Sequence, residues 1–265
     1  MSLLTLPTAT VEYFRGGAGP DLLLLHSLLT ESTVFDEVLP ALSESHRVTR
    51  INLPGFGASS AATLPTVGDY ADHVATVMDG LGLPATTTVF GNGFGAFVAL
   101  QLAIRHGSRF GDLVVADCVA AFPEAARAPF RGMAAKVREG GMGAVLDTAI
   151  GRMFPPEFQA RAPQVVARRK EKLAQVDAQC FAQACLGLAE LDLRPHLAGI
   201  RNRTLVMCGA LDQTTPPALA REVAESIRGA VYREIAGSGH CPMLEQPQAL
   251  VAEMRGFADS RSLAA

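Results

Sequence analysis

Two side chains late in the chain, Asp212 and His240, have the types and the spacing of an acid–base pair. Asp212 follows the apolar run at residues 203–209, and His240 lies in a glycine-rich stretch after the next strand-like run. A carboxylate that orients a histidine allows the imidazole to accept a proton from a hydroxyl group or a water molecule. A lone loop Asp or His is usually only solvent-exposed, but placement after two successive strands favours a functional role for the pair.

The nucleophile that such a pair would activate is expected in the sequence TTTVFGNGFGAFVAL at residues 86–100. This segment predicts a strand, a tight turn and a helix, which is the pattern of a nucleophile elbow. The consensus sequence of such an elbow is Gly-x-Ser-x-Gly. The five central residues are GNGFG, so Gly93 occupies the position of the serine and provides no nucleophilic side chain. The chain order of Gly93, Asp212 and His240 is nevertheless that of nucleophile, acid and histidine.

Two backbone N–H groups are expected to form an oxyanion hole beside this turn. One belongs to Phe94, the residue after the centre of the turn, and the other to Leu28, in the loop HSLLTE at residues 26–31. Because amide donors need no particular side chain, such a hole can persist where the nucleophile is missing.

Three polar residues near these donors are candidates for substrate binding: His26, Ser27 and Asn92. His26 either lines the pocket or shapes its loop, and we favour the structural role. The loop geometry expected at Ser27 suits backbone donation better than nucleophilic attack. The thiol of Cys241 is adjacent in sequence to His240, but we expect it to point elsewhere and not to replace the serine.

The elements that would position these residues alternate between strands and helices. Short and largely apolar runs predict a doubly wound α/β fold, which is a mostly parallel sheet with helices on both faces. Residues 122–198 lack a good strand, so we expect a helical lid inserted into a core of residues 1–121 and 199–265. In such sheets, ligands bind at the carboxyl ends of the strands. The strands are predicted at residues 21–26, 47–53, 86–90, 112–117, 203–209 and 230–237, and the helices of the core at 68–81, 94–106, 216–227 and 246–258.

The composition excludes several classes of partner. A formal net charge of −3 provides no basic surface for nucleic acid or for a membrane. The five cysteines form no CxxC pair, which predicts reduced thiols with neither a disulfide framework nor a zinc site. The N-terminus lacks the pattern of a signal peptide, and no apolar run is long enough to span a bilayer. We therefore expect a cytoplasmic protein that acts on a small molecule and binds no metal.

Over nearly its whole length the chain resembles the α/β-hydrolase superfamily and, within it, the 3-oxoadipate enol-lactonase-like branch. The loop HSLLTE is similar to the Asn-Ser-Leu-Gly-Thr-Asp loop of that branch but departs from it at three positions. The resemblance implies hydrolysis of a small carboxylic ester or lactone without a metal or an organic cofactor. The chain departs from the family at Gly93 and has no tryptophan, which lids of this branch often carry. The other matching segments are NLPGFGAS at residues 52–59, DAQCFAQACLGLAELDLRPHLAGI at 177–200, GALDQTTPP around Asp212 and GSGHCPMLEQP around His240.

Three accounts of Gly93 are compatible with the sequence. In the first, glycine has replaced a native serine in order to trap a ligand, so serine should restore hydrolysis. In the second, glycine is native, and Asp212 and His240 activate a water molecule or take a proton from the substrate, giving hydrolysis, carbon–carbon cleavage or isomerisation. In the third, the chain is a binding module without chemistry. Because a pure binder would need neither the acid–base pair nor the oxyanion loops, we favour an enzyme, or an enzyme inactivated by the loss of its serine, over a receptor. The sequence does not separate the first two accounts.

Overall fold

The computed structural model describes residues 1–262, with side chains described through residue 260, and contains one eight-stranded sheet. The strands are β1 (Ser2–Thr5), β2 (Thr10–Gly16), β3 (Asp21–Leu25), β4 (Arg47–Ile51), β5 (Thr88–Asn92), β6 (Leu113–Ala116), β7 (Thr204–Gly209) and β8 (Val231–Ile235). They lie in the order β1-β2-β4-β3-β5-β6-β7-β8. β2 pairs antiparallel with β1 and β4, and the other pairings are parallel.

All six strands predicted from the sequence are present, with ends that differ from the prediction by no more than about two residues. The antiparallel strands β1 and β2 were not predicted. Most of their residues are exposed or half-buried, so these two strands lack the continuous run of apolar residues that is typical of a strand buried on both faces.

The helices cover both faces of the sheet, as a doubly wound fold requires. Because crossovers between parallel strands are right-handed, the reversal of strand order at β3 places the β3–β4 crossover on one face and the later crossovers on the other. The helices are α1 (Leu39–Ser43), α2 (Val67–Gly80), α3 (Phe94–His106), α4 (Glu124–Gly140), α5 (Leu146–Met153), α6 (Pro156–Arg161), α7 (Pro163–Leu173), α8 (Ala178–Ala189), α9 (Pro217–Ser226), α10 (Pro242–Glu245) and α11 (Pro247–Ser262). Helix α3 has the predicted bounds. It packs along α2, whereas Arg255 of α11 reaches Glu44 beside α1.

The segment between β6 and β7 contains helices α4–α8, as predicted for residues 122–198. Helix α4 packs along α8, and the two ends of the segment meet at an isolated bridge between Ala121 and Asp192. We call residues 122–198 the helical insertion. Its action as a lid and its boundaries as a domain stay predictions. No helix within residues 1–262 is long and apolar enough to cross a membrane.

The strand order brings two chain segments together at the carboxyl edge of the sheet. β3 pairs in parallel with β5, and the register places Leu25 opposite Gly91. The loop after β3 and the turn after β5 therefore leave the sheet side by side. Strand order reverses at this point, which is where open α/β sheets form a ligand-binding crevice.

Candidate active site

Gly93 lies at the turn between β5 and α3, as predicted. Its φ of +53° and ψ of −115° are accessible to residues with a side chain only with strain. A Cβ atom on Gly95 would lie 2.2 Å from the carbonyl oxygen of Leu25, so the turn packs against β3 without room for a side chain there. The turn has the tight geometry of a nucleophile elbow, which glycine adopts without strain, although glycine provides no side chain to attack a substrate.

Asp212 and His240 form a hydrogen-bonded pair that faces this turn. Nδ1 of His240 donates to Oδ2 of Asp212 over 2.8 Å, and both side chains are buried. The carboxylate also accepts hydrogen bonds from the backbone N–H groups of Thr214 and Thr215, at 2.8 and 3.1 Å, and from the Thr215 hydroxyl at 2.5 Å. These contacts fix the ring so that its Nε2 lies 2.8 Å from the position of an ideal Cβ atom on Gly93.

The charges of the pair stabilise each other. Burial would raise the pKa of Asp212, but the charge of His240 and hydrogen bonds from His240 and Thr215 outweigh burial and lower that pKa to about 2. Burial opposes protonation of His240, but the carboxylate of Asp212 outweighs it and raises the pKa of the imidazole to about 9. Asp212 therefore favours the protonated form of His240, and the ring must be neutral before it can act as a base.

His26 shapes the loop after β3 and does not reach the cavity at the elbow. Its ring is fully buried, accepts a hydrogen bond from the Leu53 N–H at Nε2 (3.0 Å) and donates from Nδ1 to the carbonyl oxygen of Ser27 (2.8 Å). Burial lowers the pKa of His26 to about 4, so the ring is neutral. Both ring nitrogens are occupied, which supports the structural role over the substrate-binding one.

Asn92 also lies behind the cavity. Its side chain is fully buried, and its amide donates to the carboxylate of Asp117 at 2.7 Å and to the backbone oxygen of His240 at 3.1 Å. Asn92 thus joins the end of β5 to the histidine loop. These bonds occupy the amide nitrogen, whereas Oδ1 has no hydrogen-bond partner among the described residues, and substrate binding by Asn92 stays a prediction.

The two amides expected in the oxyanion hole are available to a ligand. Within the described part of the chain, no group accepts a hydrogen bond from the N–H of Leu28 or of Phe94. Both residues line the same cavity as Gly93. Phe94 also opens α3, whose N-terminus carries a partial positive charge that favours an anion. Convergence of the two amides on one oxygen atom stays a prediction.

A small and mostly apolar cavity lies over Gly93, between the sheet edge and the helical insertion. Its volume is about 30 Å³, which is room for about two water molecules. A wider cleft of about 840 Å³, lined by residues 151–157 and 210–214, approaches the site from outside. His240 and Arg152 border both spaces. The cavity is lined by Ser27, Leu28, Leu29, Gly93, Phe94, Phe97, Phe122, Phe130, Met133, Arg152, Leu188 and His240.

Arg152, in α5, is a candidate that the sequence analysis did not identify. Its guanidinium carbon lies 5.2 Å from the centre of the Phe130 ring, and burial lowers the pKa of the side chain. Among the side chains that the structure describes, no carboxylate lies within ion-pair distance of it. The carboxylate of Asp212 acts on this cation from beyond ion-pair distance. A half-buried cation with no carboxylate in direct contact, at the wall of the cavity, is suited to bind a negatively charged group of a ligand. Nothing in the local sequence distinguishes Arg152 from the exposed arginines of the insertion.

One group of potential metal ligands lies at the site. Donor atoms of Asp117, Asp212 and His240 are within 4.8 Å of one another. Their oxygen atoms already accept hydrogen bonds: Asp117 accepts from Asn92 and from the Gly209 N–H, at 2.7 and 2.8 Å, and Asp212 accepts the bonds described above. The donor set therefore fits a hydrogen-bonded network better than a cation site, and metal independence stays a prediction.

The cysteines do not supply a substitute nucleophile at the elbow. All five are buried, and none is among the residues that line the cavity. Burial and the nearby carboxylate of Glu245 raise the pKa of the Cys241 thiol far above its usual range. A protonated and buried thiol is unreactive.

A large cleft at the opposite edge of the sheet contains none of the candidate residues. It has a volume of about 620 Å³ and is lined by residues that precede β6 and β7, including Gly111 and Arg203. The acid–base pair, the free amides and the cavity bordered by Arg152 all lie at the carboxyl edge, so we place the candidate site there.

Comparisons with known proteins agree with this geometry. A family model described as the Alpha/beta hydrolase family matches residues 22–253. The chain is 31% identical over 249 residues to 3-oxoadipate enol-lactonase 2 of Acinetobacter baylyi, covering 93% of this chain and 92% of the relative. It is 31% identical over 264 residues to a pimeloyl-[acyl-carrier protein] methyl ester esterase of Aeromonas hydrophila, covering 94% and 99%. The crystal structure of the enol-lactonase from Burkholderia xenovorans LB400 matches with a TM-score of 0.91 and 28% identity, covering 97% and 100%. The resemblance to this superfamily that the sequence indicated is confirmed.

Proposed function

We propose, from the premise that this chain belongs to the alpha/beta hydrolase family, that it hydrolyses a small carboxylic ester or lactone. One relative is named as an enol-lactonase and another as a methyl ester esterase, and both reactions split a carbon–oxygen bond next to a carbonyl group. The proposal covers the reaction class, with Asp212 and His240 as the acid–base pair and Phe94 and Leu28 as the oxyanion donors.

The observation that carries the proposal is the orientation of His240. Its Nδ1 is held by Asp212, and its Nε2 has no hydrogen-bond partner in the described chain and faces the turn at Gly93. This is the arrangement of a general base whose proton donor comes from the substrate side. A receptor would gain nothing from a buried ion pair aimed at its ligand, because the cost of burying two charges is large.

The unpaired guanidinium of Arg152 supports a more specific substrate, namely an ester or lactone that also carries a carboxylate. A carboxylate at the cavity wall would neutralise Arg152 and replace the water lost on burial. One relative's name contains 3-oxoadipate, the anion of a dicarboxylic acid, which agrees with a substrate of this charge. We place the anionic group beside Arg152 and the carbonyl group over Gly93.

The proposed reaction class is tested by hydrolysis assays on a panel of lactones, aryl esters and β-diketones. We expect hydrolysis of at least one ester or lactone, loss of that activity in His240→Ala, and no loss in His196→Ala, which removes an exposed histidine outside the site. Cleavage confined to β-diketones would favour carbon–carbon bond chemistry instead. Ligand binding that survives His240→Ala, without turnover in either protein, would identify a binding module.

The proposed anionic substrate is tested with pairs of esters that differ only in a free or methylated second carboxyl group. A hydrogen bond to a charged group contributes about 1.5–3 kcal/mol, so Arg152→Leu should raise KM for the acidic ester roughly 10- to 100-fold and leave KM for the neutral ester nearly unchanged. Arg161→Leu, at an exposed position of α6, is the matched control. Equal effects of Arg152→Leu on both esters would refute the role of the guanidinium.

A further inference from the structure

We propose that Ser27, on the loop after β3, is the nucleophile that takes the place of the side chain missing at Gly93. The inference rests on the proposed ester or lactone hydrolysis and names the atom that attacks the carbonyl carbon. An ideal Cβ atom on Gly93 would lie 2.3 Å from Oγ of Ser27 and 2.8 Å from Nε2 of His240. The hydroxyl therefore occupies the space in which the side chain of an elbow serine would begin. It lies within 5.1 Å of the base, which is the sum of the two distances.

The sheet explains why this serine reaches the elbow. The β3–β5 register pairs Leu25 with Gly91, and the residues two positions further along each chain are Ser27 and Gly93. The backbone of Ser27 is held in place because its carbonyl oxygen accepts hydrogen bonds from His26 Nδ1 and from the N–H and hydroxyl of Thr30, at 2.8, 3.2 and 3.3 Å. The hydroxyl of Ser27 is thus presented by a rigid loop.

The Ser27 hydroxyl is also chemically available. Neither its Oγ nor Nε2 of His240 has a hydrogen-bond partner among the described residues, and both side chains line the cavity. Catalytic hydrogen bonds are often long or absent without substrate and form in the substrate complex. Ser27 carries the single hydroxyl among the cavity-lining residues that the structure describes. The hydroxyl of Thr215, the other one near the pair, already donates to Asp212.

The first half of the reaction transfers the acyl group to Ser27. Oγ bonds to the carbonyl carbon while its proton passes to Nε2 of His240, and the carbonyl electron pair moves to the oxygen, which the N–H groups of Phe94 and Leu28 stabilise. The carbon–oxygen bond of the alcohol then breaks, the alcohol takes the proton from Nε2, and an ester on Ser27 remains.

The second half of the reaction releases the acid. A water molecule adds its oxygen to the carbonyl carbon and gives a proton to Nε2 of His240. The bond from the carbon to Oγ of Ser27 breaks, and Oγ recovers that proton. The carboxylic acid leaves and loses its proton to solvent, so the cycle needs no reactant other than ester and water.

The test combines covalent labelling with kinetics. A short alkyl fluorophosphonate, which transfers its phosphonyl group to an activated serine with loss of fluoride, is followed by digestion and mass spectrometry. We expect the adduct on the peptide that contains Ser27, in the unchanged chain and in Ser32→Ala, and none in Ser27→Ala or His240→Ala. Ser32 is a matched control because it lies five residues further along, and its buried hydroxyl has no hydrogen-bond partner in the described structure.

The kinetic part uses whichever ester the unchanged chain hydrolyses. Ser27→Ala should lower kcat by about 10³-fold or more, because members of a nucleophile–base unit act together, and should leave the thermal unfolding midpoint unchanged. Labelling of the unchanged chain decides the question even where Ser27→Ala fails to fold.

The outcomes separate the two proposals. Hydrolysis without an adduct on Ser27, an adduct on another residue, or a folded Ser27→Ala that keeps more than about a tenth of the activity overturns the role of Ser27. These outcomes leave ester hydrolysis in place, with a water molecule as the attacking group. A chain that neither hydrolyses the panel nor reacts with the probe overturns both the nucleophile and the proposed function.

Discussion

Replacing Gly93 by serine tests the geometry of the elbow directly. The backbone of the introduced serine must adopt the φ of +53°, which lowers the free energy of unfolding by roughly 1–3 kcal/mol for a residue other than glycine. Its Cβ atom also begins 2.3 Å from Oγ of Ser27 and 2.8 Å from Nε2 of His240, so the hydroxyl must rotate away and the imidazole must shift slightly. For a chain of this size each kcal/mol lowers the unfolding midpoint by about 2–4 °C, so we expect a fall of roughly 2–12 °C in Gly93→Ser.

The double variant Gly93→Ser with Ser27→Ala removes the 2.3 Å contact and leaves one hydroxyl, now on the elbow. We expect its unfolding midpoint to recover part of the loss. Its hydroxyl would lie beside Nε2 of His240 and near both oxyanion donors. A complete nucleophile–base unit contributes several orders of magnitude, so kcat on an ester should exceed that of Ser27→Ala by about 10³-fold or more.

The assay measures ester hydrolysis and acyl adducts in all four members of the cycle: the unchanged chain, Gly93→Ser, Ser27→Ala and the double variant. In the double variant the adduct should move to the residue introduced at position 93. A folded double variant that is no faster than Ser27→Ala, and that forms no adduct at position 93, would refute the assignment of this turn as a nucleophile elbow. A double variant equal in stability to Gly93→Ser would show that Ser27 does not crowd the turn.

Three further predictions concern the charges around the site. The pKa of His240 in the folded protein is raised above 6.5, and the base must be neutral, so kcat/KM should rise with pH through an inflection well above 6.5. Asp212→Asn should lower the pH of this inflection and should lower the rate by about 10⁴-fold. An inflection that stays at the same pH in Asp212→Asn would contradict the pairing. Arg169→Met removes the cation that lies 3.2 Å from the buried carboxylate of Glu31. We expect the free energy of unfolding, measured by denaturant titration, to fall by about 3–5 kcal/mol. Arg168→Met, at an exposed neighbouring position, should lower it by no more than about 1 kcal/mol. Dialysis against a chelator should leave hydrolysis unchanged. Activity that is lost on chelation and restored by zinc would show that hydrolysis depends on a metal, for which Asp117, Asp212 and His240 offer ligands.

The fold was predictable because its signals are local. Strands buried on both faces, such as β3 and β7, are continuous apolar runs. The turn at Gly93 is marked by three glycines, of which Gly95 is required by close packing against β3 and Gly91 by close packing against the start of α3. The order of Gly93, Asp212 and His240 along the chain placed all three at strand ends before any contact was known. β1 and β2 escaped prediction because an edge hairpin with half-exposed residues has no such signal.

Tertiary structure decided which distant residues meet at the site, which local sequence patterns do not specify. Ser27 faces Gly93 because of the register between β3 and β5, which the letters of neither strand specify. Arg152 reaches the cavity because the helical insertion folds back over the sheet edge. The amide nitrogen of Asn92 donates hydrogen bonds to residues 25 and 148 positions away, which no local pattern indicates. Sequence patterns alone determined the six parallel strands, the helices around them and the residue types that stand at their ends. Burial, protonation and the choice of nucleophile depend on contacts between distant segments, and only the assembled sheet and insertion decide them.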